Sequence, residues 1–169
     1  MSCFVWTCHL AMVVENILDL DVVGPPVPQD SNPWVQQFTM SLMEDRGEAI
    51  ARAERISAQL EGWRNALPQH LDVDMSPNVS PLPHHIVGLA WYHSAQILLH
   101  SRFIKRRGLF PGGDKAEEEL AARTHVTCSK AAESVIELLA HLDRHRLLSQ
   151  TSSDVIHILS LATLFEGER

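Results

Sequence analysis

Basic charge is scarce in this 169-residue chain, where 14 Lys and Arg face 21 Asp and Glu for a formal net charge of −7. Affinity for nucleic acid comes mainly from clustered cations that neutralise phosphates. The one dense basic group, Lys105, Arg106 and Arg107, falls at the end of a predicted helix, where cations complement the negative end of the helix dipole. No direct nucleic-acid contact is expected from this segment. Cysteine is equally sparse. Cys3, Cys8 and Cys128 are odd in number and lack a repeated spacing, which excludes a disulfide framework and suits a reducing compartment.

Long apolar runs are also missing. Cys3 to Val14 is apolar, but it has no basic leader and no small-residue cleavage site, and it meets Glu15 and Asp19 within the same periodic stretch. It is shorter than the roughly 20 apolar residues needed to cross a bilayer, so neither a signal peptide nor a membrane span is expected. No run alternates apolar and polar residues with β-branched enrichment, which leaves no strand, and no internal repeat is found.

What the chain does contain is helical periodicity and a 45% hydrophobic content sufficient for a packed core. The expectation is an all-α, irregular array of about five or six helices in one unit, residues 1–169, with connectors at 21–33, 68–83 and 108–115. Phe4 to Leu20 is apolar on most sides and predicts a helix buried nearly all round. Gly24, Pro25, Pro26, Pro28 and Pro33 make the first connector. Trp34, Phe38 and Leu42 predict a short helix over 33–43, with an interruption at Gly47.

Ile50, Ala53, Ile56, Leu60, Trp63 and Leu67 then form the buried stripe of an amphipathic helix that Pro68 stops. A loop containing Pro77, Pro81 and Pro83 follows. The third long helix, 84–105, carries two stripes, Ile86, Leu89, Ala90, Ile97 and Ile104 beside Val87, Trp91 and Leu98, and so predicts contact with more than one neighbour. Gly108 and the turn at Pro111, Gly112 and Gly113 end it.

Residues 116–142 repeat the pattern through Leu120, Thr124, Cys128, Ala132, Val135, Leu139 and Leu142, with acidic residues at the helix start. Ser152 or Ser153 is placed to cap a last helix from Asp154 to Phe165. The pattern begins and ends abruptly, which predicts a fragment of a larger helical domain.

Chemistry-bearing residues do not assemble into a motif. Among ten histidines, His141 and His145 are four apart on one helical face, but HLDRH lacks the glutamate of a zinc-protease motif and a third ligand. His125 and Cys128, three apart, have the types of a base and a nucleophile but no orienting partner or oxyanion loop. Cys128 sits on the apolar stripe, where a cysteine acts as a small hydrophobe. Cys3 and Cys8 with His9 make no zinc set, and Gly112-Gly113 lacks the strand and Lys-Ser ending of a phosphate loop. No catalytic residue, no metal ligand and no cofactor is assigned. Trp6, Trp34, Trp63 and Trp91 all occupy apolar helical settings, as core residues or as walls of a small-molecule cavity.

Three segments in order resemble the middle homology region of fungal binuclear zinc-cluster transcription factors. In LEGWRNALPQHL, Leu60, Trp63, Leu67, Pro68 and Leu71 follow the family pattern. In WYHSAQILLHSRFI, Tyr92, His93, Leu98, Leu99, His100, Phe103 and Ile104 fit its long helix. In CSKAAESVIELL, Cys128, Ala131, Ala132, Ile136 and Leu139 fit the helix after it. The order and spacing agree from about Leu10 to Phe165. Two departures stand out. The family's Arg-Pro-Phe is Ser101, Arg102 and Phe103 here, which leaves the helix free to run on toward Arg107, and the six-cysteine cluster is absent.

The resemblance implies a nuclear regulatory region that senses a metabolite or partner and controls an activator of RNA polymerase II transcription. Zinc is then expected only in the DNA-binding domain, which this chain lacks, and a homodimer would form through regions outside it. An effector is expected in a cleft between the Trp63 and Trp91 helices, lined by Trp63, Trp91, Tyr92, His93 and His100. The competing readings are a helical interaction module for a protein co-regulator, or a truncated competitor of a full-length factor. A small helical enzyme using His93, His100 or the His125 and Cys128 pair ranks last.

Overall fold

The described residues form five α-helices. The structure, a computed structural model, describes residues 3–20, 33–76, 78–80, 82–103, 115–151 and 153–166, with backbone alone for 33–47, 115–121, 154 and 164–166. The helices are α1 (Cys3–Leu18), α2 (Pro33–Asn65), α3 (Pro83–Ser101), α4 (Lys115–Arg144) and α5 (Asp154–Glu166), and no strand occurs among the described residues. The chain is all-helical, as its periodicity predicts.

Pro68 closes α2 because a residue before proline is pushed out of the helical region. Pro83 opens α3 at its first position, where a missing N–H costs nothing, and Leu82 precedes it in extended backbone. Between them, a single 3-10 turn over Gln69–Leu71 carries Leu71 into the core. Arg64 reaches Asp72 at 2.9 Å across this loop, an exposed pair of small energetic weight.

Expectations for α2 and α1 need correction. Gly47 does not interrupt α2, which runs unbroken from Pro33 to Asn65. One interior glycine costs only about 1 kcal/mol, and the helix formers Glu48, Ala49, Ala51 and Ala53 that follow offset it. Nor is α1 buried all round. Leu10, Ile17 and the following Leu20 are buried, while Phe4, Met12 and Leu18 are 74%, 62% and 60% exposed. The helix packs on α2 and α3, and these touch one side of it.

The centre of the fold is α3, which packs on α1, α2, α4 and α5 and most extensively on α4. Its two stripes have the predicted consequence. Ile86, Leu89, Ala90 and Ile97 are buried, and Val87, Trp91 and Leu98 pack against the same core. The helix ends at Ser101 rather than continuing, and Arg102 caps it in helical backbone. Arg102 Nη1 donates to the Leu20 carbonyl oxygen at 2.6 Å, which ties the end of α3 to the end of α1.

The α4 stripe is equally well placed, with Thr124, Cys128, Ala132, Val135, Leu139 and Leu142 all buried. From α5, Val155, Ile158 and Ala162 complete the core at helical spacing. Leu147 N–H donates to the Leu142 carbonyl and Arg146 N–H to the Asp143 carbonyl, the two bonds of a Schellman motif. Arg146 takes the left-handed position of that motif, with φ 56°. The basic group at 105–107, the Gly112-Gly113 turn, Ile104, most of the 21–33 and 108–115 connectors and the Ser152 cap lie outside the described residues, as do the side chains of Trp34, Phe38, Leu42 and Leu120.

Candidate ligand cleft

Where α1 crosses the end of α2 and the start of α3, the three helices leave an apolar cleft of about 330 Å³. Trp6, Leu10 and Val14 line it from α1, Trp63 from α2, Leu67 and Leu71 from the loop, and Leu89 and Trp91 from α3. Its polar groups are few: Cys3, Thr7 and Glu15 on α1 and His84 and His85 on α3. Gly88 forms part of the wall, and a Cβ built there meets nothing within 4 Å.

Trp63 organises this region. Its Nε1–H donates to the Trp6 carbonyl oxygen at 2.9 Å, so the two helices are joined through a side chain. The Trp6 ring stands edge-on to Trp63 at a centroid distance of 5.9 Å. Tyr92 stacks on Trp63 at 5.6 Å and 16°. Trp6 Nε1–H is itself buried without a partner, a donor that costs about 1–3 kcal/mol to leave unpaired.

Of the five predicted effector residues, the cleft brings together Trp63 and Trp91. The other three do not line it. Tyr92 is buried against Trp63. His93 Nδ1 contacts Gln96 Oε1 at 3.1 Å, and Gln96 Nε2 donates to the Tyr92 hydroxyl at 3.2 Å. Because the Gln96 amide oxygen only accepts, His93 donates from Nδ1. Burial holds the His93 imidazole below its usual range despite this bond. His100 lies instead in a separate depression of about 250 Å³ beside Ser57, Phe103 and Arg123. Trp63 meets α3 at its middle, on Tyr92, while His100 lies about two turns further along the helix.

The nucleophile and base pair is not assembled either. His125 is exposed, while Cys128 is fully buried, its thiol pushed up to about 12 by desolvation and donating weakly to the Ile97 carbonyl at 3.9 Å. His141 and His145 do meet, ring centroids 4.8 Å apart, but His141 is fully buried with neither nitrogen bonded.

Among the described residues, one trio of metal-ligating side chains does converge. Cys3 at the start of α1 and His84 and His85 at the start of α3 have their donor atoms within 4.8 Å of one another. The two imidazoles are edge-to-face at 4.5 Å. Sequence reasoning grouped Cys3 with Cys8 and His9, its neighbours in the chain, and so missed the trio. The one available signal was an adjacent histidine pair directly after the helix-opening Pro83.

Compared with known proteins, the chain matches no family model, no curated protein and no solved structure.

Proposed function

We propose that this chain is an effector-responsive regulatory segment, and that it belongs to a nuclear fungal transcription factor of the zinc-cluster type controlling RNA polymerase II transcription. The observation that carries the effector reading is the cleft walled by Trp6, Trp63 and Trp91. A volume near the lower bound for ligand sites, about 300 Å³, suits a small, mostly apolar molecule. The link to transcription factors rests on the resemblance of the three sequence segments alone. Occupancy would act through α1. That helix holds few fully buried side chains and forms one wall, so a ligand there changes how firmly α1 sits on α2 and α3.

Titration of purified protein with a panel of small apolar metabolites tests the reading. Tryptophan emission should change saturably and the melting temperature should rise. Gly88→Leu, which places a side chain in open cleft space, should abolish both responses. Gly88→Ala should keep them while raising stability by about 1 kcal/mol, since the added methyl meets no obstacle in a helix interior. A flat response from the unmodified protein across the panel would remove the effector role.

A second reading, a helical module that pairs with another subunit or a protein co-regulator, is favoured by the exposed Phe4, Met12 and Leu18 on α1. Mass measured over a concentration series tests self-association, with Phe4→Ser and Met12→Ser as the variants that should weaken it. Neither reading assigns a catalytic residue.

A further inference from the structure

We infer that Cys3, His84 and His85 form a zinc site at the rim of the apolar cleft, closed on three sides by the protein and open on the fourth toward the cleft. One thiolate and two imidazoles are a donor set of the kind zinc takes, and three protein ligands with a vacant fourth position is a recurrent arrangement for this ion. Cys3, His84 and His85 all line the cleft, which places the site beside its apolar walls.

The geometry is close to that required. Tetrahedral zinc with bonds of about 2.0–2.3 Å separates its donors by roughly 3.5 Å. The three donor atoms here already lie within 4.8 Å of one another, so closure needs about 1 Å of side-chain adjustment. Cys3 and His85 are half-buried and His84 is exposed, which leaves the ion a route from solvent. Two elements far apart in sequence would be pinned by one ion, and α1 would gain a fixed anchor on α3.

This site does not depend on an organic effector, and its test uses protein without one. The full chain is stripped with chelator and titrated with Co²⁺. The expected result is one equivalent bound, with a thiolate-to-metal charge-transfer band and the intense visible bands of four-coordinate cobalt, both displaced by Zn²⁺. Cys3→Ser should remove the charge-transfer band, and His84→Ala and His85→Ala should each weaken binding tenfold or more. Cys8→Ser and His9→Ala should leave the spectrum unchanged, since neither residue belongs to the trio. Circular dichroism separates loss of ligand from loss of fold.

Absence of the charge-transfer band in the unmodified protein would overturn the assignment. So would a band that survives Cys3→Ser or follows Cys8. Thermal shift with Zn²⁺ alone supplies a second readout: a rise that is lost in Cys3→Ser supports the site, and no rise at saturating zinc opposes it.

Discussion

Trp63 lies nearly parallel to Tyr92, ring centroids 5.6 Å apart, while its indole nitrogen donates across to the backbone of Trp6. One side chain of α2 therefore grips both α1 and α3. Trp63→Phe keeps an aromatic face and loses the hydrogen bond, with an expected cost of about 1 kcal/mol. Trp63→Ala also removes the stack and leaves a cavity, with an expected cost of about 3–5 kcal/mol. Urea unfolding midpoints distinguish these; equal losses in the two variants would show that the stack contributes nothing.

Stability should fall in mild acid. His85, His93, His100 and His141 all have imidazoles held below their usual range, in each case chiefly by burial. Above an unfolded value of about 6.5, both states carry neutral rings and pH has no effect through them. As pH drops below that value, the unfolded chain takes up protons first, so stability declines until the depressed folded values are reached. His141→Leu should flatten part of this slope. It should also raise stability at neutral pH by about 1 kcal/mol, because two buried, unbonded nitrogens disappear. A variant with an unchanged pH slope would refute the assignment to His141.

The cysteines should separate by reactivity. Cys8 is exposed and should react promptly with a thiol reagent at neutral pH. Cys128, buried with its thiol pushed up to about 12, should react only as the protein unfolds. Peptide mapping after timed labelling gives the order. Rapid native labelling of Cys128 would contradict the α3–α4 packing.

Arg146 occupies a left-handed backbone position, φ 56°, at the end of α4. A side chain there costs roughly 1 kcal/mol relative to glycine. Arg146→Gly should therefore stabilise the protein by about that amount, less a small loss from added freedom in the unfolded chain. The Schellman bonds from Leu147 and Arg146 should persist, and their amide protection in hydrogen exchange provides the check.

Local signals were legible in the sequence: the all-helical class, the stop at Pro68, the start of α3 to within one residue, at His84 rather than Pro83, and the buried stripes of α3 and α4. Helix periodicity, proline geometry and capping act within a few residues, so they can be read without knowing the rest of the fold. The sequence could not show that Gly47 is tolerated inside α2, because continuity there is the balance between one weak helix former and its neighbours. Nor could it show which side of α1 stays uncovered, since that depends on α2 and α3 packing against one side of it.

The site was decided by tertiary structure almost entirely. Trp63 and Trp91 share a cleft because the end of α2 packs on the middle of α3, whereas His100 falls in another depression further along the same helix. Cys3 reaches His84 and His85 because α1 lies across the start of α3. The sequence by itself determined which stretches are helical and which faces are apolar, since both follow from interactions a turn or two long. The meeting of particular side chains was decided only by how those faces pack, through contacts between residues distant in the chain.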